Sequence, residues 1–97
     1  MNAKDFITTI IEKVNISTPF DNTVDSARAI AKALAREVEN GAKLPANCTV
    51  KFQGENITVA TRDNIINPDT IIVTVELPDM FSTTRYTAFA KRPVAVA

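Results

Sequence analysis

Histidine is absent from this 97-residue chain. Its absence removes the commonest general base and metal ligand at neutral pH, and with it every histidine-containing triad or dyad. Cysteine occurs once, as Cys48, so no internal disulfide can form and the usual zinc sets cannot be assembled. Glycine is found only at Gly41 and Gly54, too few for either glycine-rich nucleotide fingerprint. Formal net charge is zero, which leaves no global attraction to nucleic acid or anionic lipid. No apolar run approaches the ~20 residues of a membrane-spanning helix. The opening Met1-Asn2-Ala3-Lys4-Asp5 places an acid where a signal peptide would lead into its apolar stretch. A cytoplasmic protein with no cofactor, no metal and no catalytic role is therefore expected. The glycosylation patterns at Asn15, Asn47 and Asn56 then read as ordinary polar turn and strand residues.

What remains is a globular composition, 45% apolar and 23% charged, on a chain too short for a second core. Phe6, Ile7, Ile10, Ile11 and Val14 recur at helical spacing behind Asn2, a good N-cap, and predict a helix over residues 3–14. The turn formers Ser17, Thr18, Pro19, Asp21 and Asn22 make a connector, with Ile16 and Phe20 expected to fold back on the core. A second helix is expected over 24–40. Its stripe is Val24, Ala27, Ile30, Ala31, Leu34, Ala35 and Val38, and Gly41 stands where a left-handed C-cap is wanted. So many alanines invite close backbone approach.

From Cys48 the period becomes twofold, predicting strands over 48–53, 56–62, 70–77 and 83–91 and a tail over 93–97. Gly54-Glu55 suggests a type II′ hairpin that would pair Phe52 with Ile57 and Val50 with Val59. Helices followed by strands in the order α-α-β-β-β-β indicate an α+β fold of two layers, two helices on a four-stranded antiparallel meander.

Few residues invite chemistry. Cys48 alternates inward with Val50 and Phe52, as a core residue would. Asp63, Asn64, Asn67 and Asp69 form an oxygen-rich cluster without the glycine and terminal glutamate of a calcium loop, so a turn held by side-chain to backbone hydrogen bonds is expected. Glu37, Glu39, Glu55, Glu76 and Asp79 show no spacing that singles out a catalytic pair.

Two features suit binding. Apolar residues fall on both faces of the later strands, and one layer of helices covers only one face. Self-association, as a dimer or higher homo-oligomer, is expected through the sheet and tail, with Met80, Phe81, Phe89, Val94 and Val96 as contacts, and an unidentified protein is a further possible partner. The style is that of a small bacterial or phage accessory or assembly protein. The alternative is an anion or nucleic-acid binding module built on a charged stripe of the second helix, Arg28, Lys32 and Arg36, joined by Lys51 and Arg62. Asp25 and Glu39 bracket that stripe, and the zero net charge disfavours nucleic acid. A nucleotide-like ligand held at a subunit junction by Thr84, Arg85 and Tyr86 is a third reading.

Overall fold

Asn2 starts the first helix as expected: its Oδ1 accepts the Asp5 N–H at 2.8 Å, satisfying a backbone donor that has no partner within the helix. The computed structural model describes residues 2–17, 23–78 and 82–93. Along the chain these form α1 (Ala3–Ser17), α2 (Thr23–Glu39), β1 (Asn47–Phe52), β2 (Glu55–Asp63), β3 (Thr70–Pro78) and β4 (Thr83–Lys91). The strands pair antiparallel in sequence order, a four-stranded meander, with both helices packed on one face. The α+β two-layer architecture is thus the one expected.

Helix α1 continues to Ser17, past the predicted stop at Val14. Asn15 and Ser17 are only mild helix breakers, so the helix runs on through them. The side chain of Ile16, and Phe20, lie outside the described residues. Ile7, Ile10, Ile11 and Val14 are buried, as the helical spacing requires.

Helix α2 buries Ala27, Ile30, Ala31, Leu34, Ala35 and Val38, while Val24 in its first turn is half exposed. Its C-terminus closes as a Schellman motif: Gly41 N–H donates to the Val38 carbonyl at 3.0 Å and Ala42 N–H to the Glu37 carbonyl at 2.9 Å. Gly41 takes φ +100° to do so, a conformation that a Cβ disfavours. Ser26, fully buried, is the one polar side chain in the described core, and its hydroxyl has no hydrogen-bond partner among the described residues.

The sheet's inner face is Cys48, Val50, Ile57, Val59, Val73, Val75, Leu77, Ala88 and Ala90, all buried against the helices. The hairpin register differs from the expected one. Phe52 pairs with Glu55, Val50 with Ile57 and Cys48 with Val59. The turn residues are Gln53 and Gly54, with φ 52° and 80°, a type I′ geometry in place of type II′ at Gly54-Glu55. A slip of two residues leaves every side chain on its own face, so apolar alternation is blind to it.

Among the described residues, the outer face carries few apolar side chains. Thr49 and Thr58 lie 3.2 Å apart through their hydroxyls, Thr74 and Thr87 3.5 Å apart, and Arg85 meets Glu76 at 2.8 Å. Cross-strand pairing places Ile72 opposite Phe89. Ile72 is half-buried, and Phe89 is 62% exposed.

Candidate functional site

The most exposed large apolar side chains among the described residues are not on the sheet. Ile65 and Ile66, between β2 and β3, are 94% and 95% exposed. Their loop is held firmly. Asn64 Oδ1 accepts the N–H groups of Ile66 and Asn67 at 3.1 and 3.2 Å, and Asn64 Nδ2 donates to Thr70 Oγ1 at 2.9 Å. The Thr70 N–H and hydroxyl both donate to the Asn67 carbonyl, at 3.0 and 2.9 Å. Arg92 braces the loop from β4: its N–H donates to the Asp69 carbonyl at 2.7 Å, its Nε to the Pro68 carbonyl at 3.1 Å, and its Nη2 pairs with Asp63 at 2.8 Å. The oxygen-rich cluster is therefore a side-chain to backbone turn, as expected, and its result is to hold two isoleucines in water.

Beside this loop opens a cavity of about 500 Å³ at the same end of the domain. Val38, Leu44 and Ile71 supply buried or half-buried apolar lining, and Lys43, Arg62 and Arg92 supply exposed cations. Asp63 and Arg92, which bound or brace the isoleucine loop, also line the cavity. Ile65 and Ile66 do not line it. Lys43, Arg62 and the Asp69 carboxylate make no ion pair among the described residues.

A second surface runs along β4, which is an edge strand. The Lys91 N–H donates to Glu39 Oε2 at 2.9 Å, whereas the next residue, Arg92, donates towards the β3 side, to the Asp69 carbonyl. Backbone groups alternate sides along a strand, so Arg85, Thr87 and Phe89 aim theirs away from β3, at an edge that no described strand covers. Helix α2 lies alongside, its Arg28 guanidinium 5.8 Å from the centre of the Tyr86 ring. Lys32, Arg36 and Glu39 line a groove with Tyr86, Thr87 and Phe89. The side chains of Lys32 and Arg36 make no hydrogen bond or ion pair among the described residues.

The sequence-derived candidates are scattered over these surfaces. Arg28, Lys32 and Arg36 share the exposed face of α2 beside β4, but Lys51 and Arg62 alternate onto the outer face of β1 and β2, so the five cations do not form one patch. Arg85 pairs with Glu76 on the outer face while Tyr86 lies under α2, because neighbours along a strand point to opposite faces. Arg85 thus points to the face opposite Thr84 and Tyr86. Of the expected contact residues, Phe89 is exposed beside the groove; Met80, Phe81, Val94 and Val96 lie outside the described residues. Cys48 is buried. No cluster of acids and cysteine suited to a metal ion occurs among the described residues, and no helix there is long and apolar enough to cross a membrane.

Periodicity does not single out the isoleucine pair, because Ile65 and Ile66 stand among turn formers in a stretch too short to show a helical or a twofold repeat. The available signal was two adjacent β-branched residues, Ile65 and Ile66, in a stretch that no strand claims. Comparison with known proteins brings no relative to bear: no family model matches the chain, and no curated protein or solved structure matches it significantly.

Proposed function

We propose that this chain is a non-catalytic protein-interaction module that assembles as a twofold dimer through the end of the domain carrying Ile65 and Ile66. The carrying observation is that a loop rigid enough to keep two isoleucines 94% and 95% exposed sits next to a cavity of about 500 Å³ with apolar lining. Burying an isoleucine stabilises by about 1.5–3 kcal/mol, and a hydrogen-bonded loop forgoes that within its own fold. A twofold axis at this end lets each copy place its isoleucines in the other's cavity, so that one contact is made twice. Charge favours the same arrangement, since Asp69 travels with the isoleucines and Lys43 and Arg62 surround the cavity. The outer sheet face offers less, with Ile72 and Phe89 its main apolar pair.

The test is molar mass by light scattering over a concentration series. The full chain should rise towards twice its 10.6 kDa, the Ile65→Ser/Ile66→Ser variant should stay at the monomer mass, and a chain ending at Pro93 should still dimerise. Both isoleucines are exposed, so the variant keeps its fold. A full chain that remains monomeric throughout, or a double variant that dimerises as well as the parent, sinks the proposal. Loss of the dimer only on shortening would transfer the role to Val94 and Val96.

A further inference from the structure

Helix α2 and strand β4 run parallel and in step. From Arg28, over Tyr86, to Glu39, bonded to Lys91, the helix rises about 16.5 Å. The strand from Tyr86 to Lys91 covers about 17 Å. Arg28, Lys32 and Arg36 therefore form a row with a repeat of about 6 Å beside a strand edge whose backbone groups at Arg85, Thr87 and Phe89 face outward. A further strand on that edge would present alternate side chains towards the helix every ~6.7 Å. The two repeats match over three positions. Asp25 and Glu39 limit the cationic row at either end.

From this match we infer that the β4 edge binds an extended segment of another protein, added as a fifth strand, with acidic residues at three alternate positions facing α2. The backbone row supplies affinity and the cations supply selection for acids. Glu39 already satisfies the outward N–H of Lys91, so the outward donors available to the segment are those from Phe89 back to Arg85. The side chains between the acids fall on the outer face, where Phe89 favours an apolar neighbour. A second copy does not fit. The helix-side residues of β4 are Thr84, Tyr86, Ala88 and Ala90, and nowhere in the sequence do three acids stand at alternate positions. Nucleic acid would satisfy the cations and leave the backbone row unpaired. This surface shares no lining residue with the cavity near Ile65 and Ile66, so the inference is independent of the dimer.

The probe is a capped heptapeptide, Thr-Glu-Val-Glu-Val-Glu-Thr, titrated into the full chain and into the Ile65→Ser/Ile66→Ser variant. Readouts are fluorescence anisotropy and amide hydrogen exchange at Arg85, Thr87 and Phe89. Both proteins should bind it equally and slow exchange at those amides at least about tenfold. Glutamine in place of the three glutamates, or Lys32→Gln/Arg36→Gln in the protein, should weaken binding about tenfold, and so should raising the salt. Equal binding of the glutamine peptide overturns the acidic specificity. Binding without protection of the edge amides overturns strand addition, as does a single-stranded oligonucleotide that binds more tightly than the peptide. Absence of any binding overturns the inference while leaving the dimer untouched.

Discussion

Replacing Ile66 with valine removes one methylene that touches almost nothing in the isolated domain, because Ile66 is 95% exposed. The stability of the monomer should stay within about 0.5 kcal/mol. In the reciprocal dimer the same methylene is buried twice, once in each cavity. At about 0.8 kcal/mol per methylene, Ile66→Val should weaken the dimer by about 1.6 kcal/mol, or roughly 15-fold in its dissociation constant. A one-sided contact would give about half that energy, roughly fourfold. Ile66→Ala removes about three methylenes per copy and should cost nearly 5 kcal/mol, enough to abolish the dimer at working concentrations. Four isoleucines gain about 6–12 kcal/mol when fully buried, against an association cost of about 4–15 kcal/mol, so the parent dimer is expected to be reversible. Sedimentation equilibrium at several loading concentrations measures the constant, and thermal melts of the dilute proteins provide the stability control. An unchanged constant for Ile66→Val with an unchanged melt would refute reciprocal insertion, and a fourfold change would refute the twofold axis.

Charge should act in the same dimer: Asp69→Arg should weaken association by up to about 1 kcal/mol per contact, and Arg62→Glu added to it should restore part of the loss in the same sedimentation assay. In the hairpin, Gln53 has φ 52° ahead of Gly54, the site where a type I′ turn prefers asparagine, so Gln53→Asn should stabilise by about 0.5–1 kcal/mol in urea melts without changing the m-value. Ala31 is fully buried, and Ala31→Leu should destabilise by about 1–3 kcal/mol in the same melts; a neutral result would mean that α2 does not pack closely on its neighbours.

Elements and order were legible because each period was clean. The apolar residues of α1 and α2 repeat at helical spacing, and those of the strands alternate. Boundaries and register were less so. The hairpin is instructive: Val50 meets a β2 residue of the same face whether it pairs with Ile57 or Val59, so hydrophobicity fixes the face and only the turn fixes the pairing. Gly54 serves either turn type, and the choice fell to Gln53, a residue with no strong preference for a left-handed conformation. Ile72 and Phe89 were visible singly, but their pairing across β3 and β4 depends on that register.

Sites were legible only as stripes on one element. Arg28, Lys32 and Arg36 could be grouped because a helix carries its own geometry; their alignment with an open β4 edge needed the sheet order and the parity of backbone groups, neither written in the helix. The end of the domain and the β4 edge are separate surfaces, and that separation has a consequence for binding strength. A twofold dimer closed through Ile65 and Ile66 presents two α2–β4 grooves at a fixed separation. A partner carrying two acidic strands on a linker able to span them would then bind with the second event intramolecular, at an effective concentration in the millimolar range for a short flexible linker. Tight capture would thus require the dimer, even though each groove works alone. The Ile65→Ser/Ile66→Ser variant should leave the affinity for a single acidic peptide unchanged and lower that for a tandem peptide by about a hundredfold or more. Equal losses for both peptides would mean that the two surfaces are not independent.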